Sequence, residues 1–454
     1  MARVALYYPW IYLKSGSERT ILELFRRSSH TIEICTSHYD RDGTYGDFAG
    51  LGVREMGHAS TRRTYFGAAT AALQMFRLRF SPERYDAVVV CCDGIGPLVG
   101  FRNRKLPLMN LCFTPLRAVY DEEYRRRLLE AGGGRRGKLL AETLFRFVDR
   151  RAWKHFASVI CISRTTRDRV VTGGLRRGDD MLVAYPGVAA SAIRGQGPMG
   201  DYFFLPGRIM WTKNIELAID AHHRYRAEGG TLRLVIAGMV DRKSKGYFAE
   251  LHERAANIPT VTFETEVSDA RMRELYEGCR AVLVSAFNED YGLTPIEGMA
   301  CGKPTVAVDR GGPRESVVDG VTGYLVEPEP EAFAAAMLRL DREEGLAGRL
   351  GAAGLDRVRM FTWERFVDAF DREIDRIVLQ KQKVGPVAEG PARDLLTQFL
   401  SKWKSDDLAP NAQYWLAETY FLEKDFRKAS QRVYRTPQAS SRVVMQVLRE
   451  RTVP

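Results

Sequence analysis

The residues whose type and spacing best suit chemistry are two glutamates, Glu289 and Glu297, in the stretch AVLVSAFNEDYGLTPIEGMACGKP from Ala281 to Pro304. It reads as a buried strand over 281–287, a polar loop with Glu289, a helix opened by Thr294 and Pro295 and closed by Gly302, and a second strand over 305–308. Parallel α/β sheets bind ligands at the loops beyond their C-terminal edge, so Glu289 is placed to meet one and Glu297 falls in the first helical turn. Thr294-Pro295-Ile296-Glu297 also fits a capping box, with Thr294 as N-cap, which gives Glu297 a structural role as the alternative. Arg208 and Lys213 stand on another strand-to-helix loop, where an arginine can fork two oxygens of an anion and a lysine adds a point charge.

Other sets are weaker. Asp40-Arg41-Asp42 has the spacing of a metal-holding pair but precedes Gly43 and reads as a turn. The seven cysteines are scattered, with no CxxC or Cys/His ligand spacing, and read as buried thiols of a reducing cytoplasm; no metal site is expected. No Ser-His-Asp set appears, and His222-His223 lie on an expected helix. No strand is followed by GxGxxG, which argues against a dinucleotide-dependent dehydrogenase.

The elements that must position these residues repeat one pattern. Apolar strands over 2–8, 31–36, 87–92, 108–111 and 158–162 alternate with helices, most clearly 64–80 and 139–156, and Ser163 is placed to cap the helix that follows. Between them, 120–138 is dense in charge and contains Gly132, Gly133 and Gly134, which predicts an exposed, mobile excursion. After GQGPMG at 195–200, the best linker candidate, the pattern restarts with strands over 203–205, 232–237 and 261–263. Two doubly wound parallel sheets in sequence make the cleft between them the expected ligand site.

The expected domains are 1–190, 191–360, a helix over 361–380 returning to the first domain, a linker over 381–391 and a helical extension over 392–454. In that extension AQYWLAETYFLEKDFRKA has the spacing of a single tetratricopeptide-type repeat, which would need the rest of the chain, another copy or a protein partner to cover its face; a pair of ordinary capping helices is the alternative.

The net charge of +11 is unevenly spread: residues 1–190 hold 31 Lys and Arg against 19 Asp and Glu, and the remainder 37 against 38. The basic half suits an anionic partner, and Arg125, Arg126, Arg127, Arg135, Arg136 and Lys138 suggest docking to an anionic membrane. No nucleic-acid module is visible. Residues 1–8 are too short an apolar run for a signal peptide and no run reaches bilayer length, so a cytoplasmic protein, either soluble or peripheral at the inner face of the membrane, is expected.

GRIMWTKNIELAIDA (207–221), FNEDYGLTPIEGMACGKPTVA (287–307) and GGPRESVVDGVTGYLVEP (311–328) resemble the retaining glycosyltransferases of family 4. LCFTPLRAVYD and DRRAWKHFASVICIS resemble their mannosyltransferase-like branch, which builds surface polysaccharides and glycolipids. The resemblance covers roughly residues 1–380 and implies an α/β, GT-B fold of two Rossmann-like domains facing a cleft. It implies hexose transfer from a nucleotide-diphosphate sugar, GDP-mannose first, to a lipid-linked or glycan acceptor, without metal or cofactor. Arg208 and Lys213 would then meet the diphosphate and Glu289 the donor sugar. Gly16, Gly292, Leu293 and Thr294 would shape the donor site, Glu297 would take the ribose hydroxyls, and Thr114 and Arg117 would face the sugar or acceptor. Phe113 stands where this branch usually has a histidine against the donor sugar. A GT-B-shaped scaffold without activity, recruiting partners through its C-terminal helices, is the alternative.

Overall fold

The computed structural model describes residues 1–60, 65–130, 135–193, 195, 197–241 and 243–384. The first sheet contains β1 (Arg3–Tyr7), β2 (Thr31–Thr36), β3 (Arg54–Glu55), β4 (Ala87–Gly94), β5 (Leu108–Pro115), β6 (Ser158–Cys161) and β7 (Leu182–Val183). Their order is β3-β2-β1-β4-β5-β6-β7, and every pairing is parallel. The second contains β8 (Tyr202–Pro206), β9 (Arg233–Ala237), β10 (Val261–Glu264), β11 (Ala281–Val284), β12 (Thr305–Val308) and β13 (Gly323–Val326). It too is wholly parallel, ordered β10-β9-β8-β11-β12-β13. Central strands such as AVLV at 281–284 and TVAV at 305–308 are buried throughout, because helices cover both faces of such sheets.

Both sheets reverse winding direction where an early strand meets a much later one. In the first that happens between β1 and β4, and in the second between β8 and β11. Connections leave in opposite directions there, so the loops at the C-terminal ends of the two strands open a crevice. The loops after β8 and β11 carry Arg208, Lys213 and Glu289. The loop after β1 leads into the helix Gly16–Arg27, where Ser15 caps the N-terminus by accepting from Ser17 N–H at 3.2 Å.

One hydrophobic cluster includes Val4, Leu6 and Phe113 of the first sheet together with Tyr291, Ile296 and Met299 of the second half. The loop and helix around Glu289 are therefore rooted in a core that both halves build. The helix Trp363–Val384 lies against the first half, burying Trp363, Phe366, Phe370, Ile374 and Ile377 in the same cluster. At ~1.5–3 kcal/mol for each fully buried large side chain, as an upper estimate, this stripe contributes on the order of 10 kcal/mol to holding the halves together. Polar contacts fix its register: Asp371 accepts from Ser28 Oγ at 2.6 Å and from Ser29 N–H at 2.7 Å.

Contacts divide the chain into Met1–Val378 and Leu379–Pro454, and of the second only 379–384 are described. The helix runs through 381–384, where the sequence suggested a linker, because Lys381, Gln382 and Lys383 are good helix formers and no glycine or proline intervenes before Gly385. The expected tetratricopeptide-type segment over 392–454 lies outside the described residues. Among the described residues no helix is long and apolar enough to cross a membrane.

Candidate active site

The loop after β8 ends in a single tight turn, Trp211–Lys213, and then Asn214 adopts a left-handed backbone, φ 51°, before the helix Ile215–Ala227 begins. Asparagine tolerates that region better than other side chains, and the sharp bend brings Lys213 back over the sheet edge. Two bonds stitch this loop to the one after β11: Ser285 Oγ donates to the Lys213 carbonyl at 2.9 Å, and Phe287 N–H to the Thr212 carbonyl at 3.3 Å. As a result Lys213 Nζ lies 2.7 Å from Glu289 Oε2, each side chain a quarter exposed. Residues 76 positions apart thus form one charged pair at the switch point of the sheet.

Burial by itself would push the Glu289 carboxyl up. The charge and hydrogen bond of Lys213, followed by the charges of Arg117 and Arg208, outweigh it and hold the group below the ordinary glutamate range. Glu289 is therefore an ionised acceptor. The Arg208 guanidinium makes no hydrogen bond or ion pair with any described residue, which leaves a cation at the site available to an anionic ligand. Lys213, Ser285, Glu289, Gly292 and Thr294 line one small pocket. At Gly292 the backbone has φ 83°, and a Cβ there would sit 3.1 Å from Glu289 Cγ, so the turn under the carboxylate requires glycine. From the other half Gly16 closes on this turn: a Cβ on it would touch Leu293 at 3.4 Å.

Glu297 does not act as a capping-box residue. Leu293, in a helical backbone and without a side-chain cap, precedes the helix Thr294–Ala300, and Thr294 is already inside it. The carboxylate instead points outward, accepting from Arg19 Nη1 at 2.7 Å and from Tyr276 Oη at 2.7 Å. A cation from the opposite half, invisible to a local pattern, competes successfully for it. Glu315, in the first turn of the helix Pro313–Ser316, likewise serves a distant one. It accepts from Arg164 N–H and Thr165 N–H, both at 2.8 Å, at the N-terminus of the helix Arg164–Thr172. Ser163 caps that helix as expected.

Thr114 and Arg117 reach the loop of Glu289 through a brace that the sequence did not reveal. Arg117 Nη2 donates to the Asn288 carbonyl at 3.0 Å, Thr114 Oγ1 to Asp290 at 3.3 Å, and Ser163 Oγ to the Asp290 carbonyl at 2.5 Å. The nearly buried Arg169 binds the Asp290 carboxylate directly and Asp121 at 3.2 Å. The pairing of Asp290 and Asp121 with Arg169, and of Arg19 with Glu297, carried no sequence signal, because the partners are far apart in the chain. Phe113 is core, packed edge-on against Tyr8 with ring centroids 6.0 Å apart.

The charged stretch after Tyr120 is ordered where it is described, contrary to the expected mobile excursion. Its helix Glu122–Glu130 crosses to the second half, stacking Tyr124 on Trp211 at 5.3 Å and the Arg127 guanidinium over Phe287 at 3.7 Å. Gly132, Gly133 and Gly134 lie outside the described residues. Asp40 makes the expected turn, its carboxylate accepting from the N–H groups of Asp42 and Gly43 at 3.2 Å. Six of the seven cysteines are buried.

Residues 192–357 match the family described as glycosyl transferases group 1. Human alpha-1,3/1,6-mannosyltransferase ALG2 is 26% identical over 409 residues, 80% of this chain and 94% of that protein. A D-inositol 3-phosphate glycosyltransferase of Stackebrandtia nassauensis is 32% identical over 201 residues, 42% of this chain and 45% of that one. Among solved structures, Anabaena HepE in complex with UDP and glucose superposes over 84% of this chain and 100% of its own, with TM-score 0.61 at 16% identity. Sucrose-phosphate synthase from Thermosynechococcus elongatus gives TM-score 0.65 at 16% identity over the same share. Two parallel Rossmann-like sheets, with these neighbours, define an α/β, GT-B fold. Residues 192–357 are thus similar to the group 1 glycosyl transferases, and most of the chain is similar to an alpha-mannosyltransferase.

Proposed function

We propose that the chain is a retaining, metal-independent hexosyltransferase that moves mannose from GDP-mannose to a lipid-linked or surface-glycan acceptor. The observation that carries the reading is the meeting of Lys213 and Glu289 at 2.7 Å beside the unpaired Arg208. Loss of the diphosphate builds charge on its oxygens, and fixed cations in a partly dry crevice stabilise that charge without reorganising. Arg208 forks phosphate oxygens and Lys213 adds a point charge, while ionised Glu289 accepts from donor-sugar hydroxyls. Gly16, Gly292, Leu293 and Thr294 form the close-packed turn over which the diphosphate and sugar lie. Glu297 takes the ribose hydroxyls, exchanging them for Arg19. Transfer proceeds on one face of the sugar, without a nucleophilic side chain of the protein. The acceptor oxygen forms the new bond to the anomeric carbon as the bond to the diphosphate breaks, and the departing phosphate oxygen takes the acceptor proton. Thr114 and Arg117, through Asn288 and Asp290, hold the acceptor-side wall.

The mannosyl assignment is supported by the similarity to the human mannosyltransferase, matched over 94% of its length, and action on a lipid-linked acceptor suits the basic first half. Thermal-shift titration with GDP-mannose, UDP-glucose and UDP-N-acetylglucosamine tests it, since a ligand bound only by the folded state stabilises by RT ln(1 + [L]/Kd). GDP-mannose should raise Tm most, by an amount equivalent to ~2.7 kcal/mol at a hundredfold excess over Kd. A larger shift with a uridine donor would refute the base and sugar named here, and no shift with any of them would refute donor binding.

A further inference from the structure

Arg125, Arg126 and Arg127, grouped by the sequence as one basic patch, take different partners. Arg125 pairs with Glu142 and Arg126 with Glu123, both at 2.8 Å. Arg127 also meets Glu123, at 3.0 Å, but its guanidinium lies over two rings of the opposite half, 3.7 Å from the Phe287 centroid and 5.2 Å from that of Trp211. The two rings are 6.4 Å apart. Their places in the chain give the contact its meaning. Trp211 stands two residues before Lys213 and Phe287 two before Glu289, on the loops whose charged groups meet at 2.7 Å.

The helix Glu122–Glu130 that carries Arg127 is anchored at its start by Asp121. Its Oδ1 caps the helix by accepting from Tyr124 N–H at 3.1 Å, while its Oδ2 accepts from Arg117 Nε at 2.9 Å and pairs with Arg169 at 3.2 Å. The helix is thus rooted in the same brace that holds Asp290. Three residues apart, Tyr124 and Arg127 share a helical face. Tyr124 meets Trp211 at 5.3 Å, with the Arg117 guanidinium over its own ring at 5.4 Å.

The brace takes hold of the loop of Glu289 through Asn288 and Asp290. Arg127 touches that loop and the loop of Lys213 at once. A cation is attracted to the negative face of each ring, and more strongly where water is partly excluded, as it is around a guanidinium only one-third exposed. We infer that Arg127 is a positioning residue for the transfer: lying over Trp211 and Phe287, it keeps the loops of Lys213 and Glu289 in one arrangement against the first half. It acts through the two rings and not on the donor. The inference rests on the role proposed above for Lys213 and Glu289.

The test uses the full chain with GDP-mannose, water serving as acceptor and GDP release as the readout. Arg127→Ala should lower kcat by about tenfold, the factor by which losing a partly dry cation over two rings shifts a two-state population. The KM for GDP-mannose should stay within about twofold. Arg127→Lys keeps a cation over the rings and should retain at least about a third of the unmutated kcat. Phe287→Leu, which keeps the cation and removes its nearer ring, should lower kcat in the same direction, and Arg126→Ala on the exposed side should leave it unchanged. Unchanged kcat in both Arg127→Ala and Phe287→Leu would overturn the inference, as would Arg127→Lys no faster than Arg127→Ala. So would a rise in KM that matches the fall in kcat, because Arg127 would then serve donor binding. Lys213→Ala run alongside separates the two levels. If it releases GDP at the unmutated rate, or the unmutated chain releases none, the role of the charged pair fails and this inference with it. If Lys213→Ala is slow and Arg127→Ala is not, the positioning by Arg127 alone fails.

Discussion

Replacing Lys213 by alanine removes one of two cations from the site and leaves its partner, Glu289, facing a vacancy. Because Arg208 remains, the expected loss is that of one preorganised donor at a site of developing charge, ~2.7–4 kcal/mol or 10²–10³ in kcat. The fold should survive. The pair is a quarter exposed on each side, so breaking it costs about 1 kcal/mol, close to the solvent-screened limit, equivalent to ~2–4 °C in Tm. A second signature follows from the carboxylate. Lys213 supplies the largest contribution holding Glu289 low against burial, and without it burial pushes the group up, so residual activity should fall on acidification in a range where the unmutated protein is flat. Steady-state transfer and donor hydrolysis across pH, with a melt on the same sample, measure all three quantities. A Lys213→Ala protein within about threefold of the unmutated kcat/KM would refute the phosphate role, and a variant that fails to melt cooperatively would refute the estimate of screening.

Two further outcomes are expected. Asp290→Asn should lower stability by about 2 kcal/mol, less than for a fully isolated charge because Arg169 keeps Asp121, and should lower kcat more than it weakens donor binding, since the brace holds the loop that presents Glu289. Unchanged melting and unchanged kcat together would refute the brace. Asp149, buried in the first half with Tyr120 Oη donating to it at 3.0 Å, has its carboxyl raised by that burial to about 7. Its folded pKa lies above the unfolded value, so its contribution is fully present near pH 4 and lost as pH rises through about 7. Asp149→Asn should be near neutral in stability at the acid end and stabilising by on the order of 3 kcal/mol in mildly alkaline buffer, read by denaturant melts across pH.

The paired-sheet architecture was legible because its signals are local: short apolar runs for strands buried on both faces, helical periodicity between them, and Ser163 as a cap. Arg208, Lys213 and Glu289 were legible because each sits on a strand-to-helix loop whose place at the sheet edge follows from topology. The roles of Glu297 and Glu315 were not. A local pattern offered Glu297 a bond within its own helix, yet Glu297 and Glu315 each bond a group more than 100 residues away, Arg19 or the start of the helix Arg164–Thr172. The same limit hid the brace on Asp290, and it made the charged stretch after Tyr120 look mobile when Tyr124 and Arg127 in fact stack on Trp211 and Phe287.

By itself the sequence determined the two doubly wound sheets, the loops that bear the charged residues, and the basic bias of the first half. Hydrophobic period and turn chemistry act over a few residues and need no partner to be read. Only the tertiary structure decided which charges meet. These ion pairs depend on how elements distant in sequence pack: Lys213 found Glu289 across two loops of one sheet, Arg19 took Glu297 from the other half, and Arg125 met Glu142 of the following helix. Leu73, Phe76, Leu144 and Phe147 were left exposed.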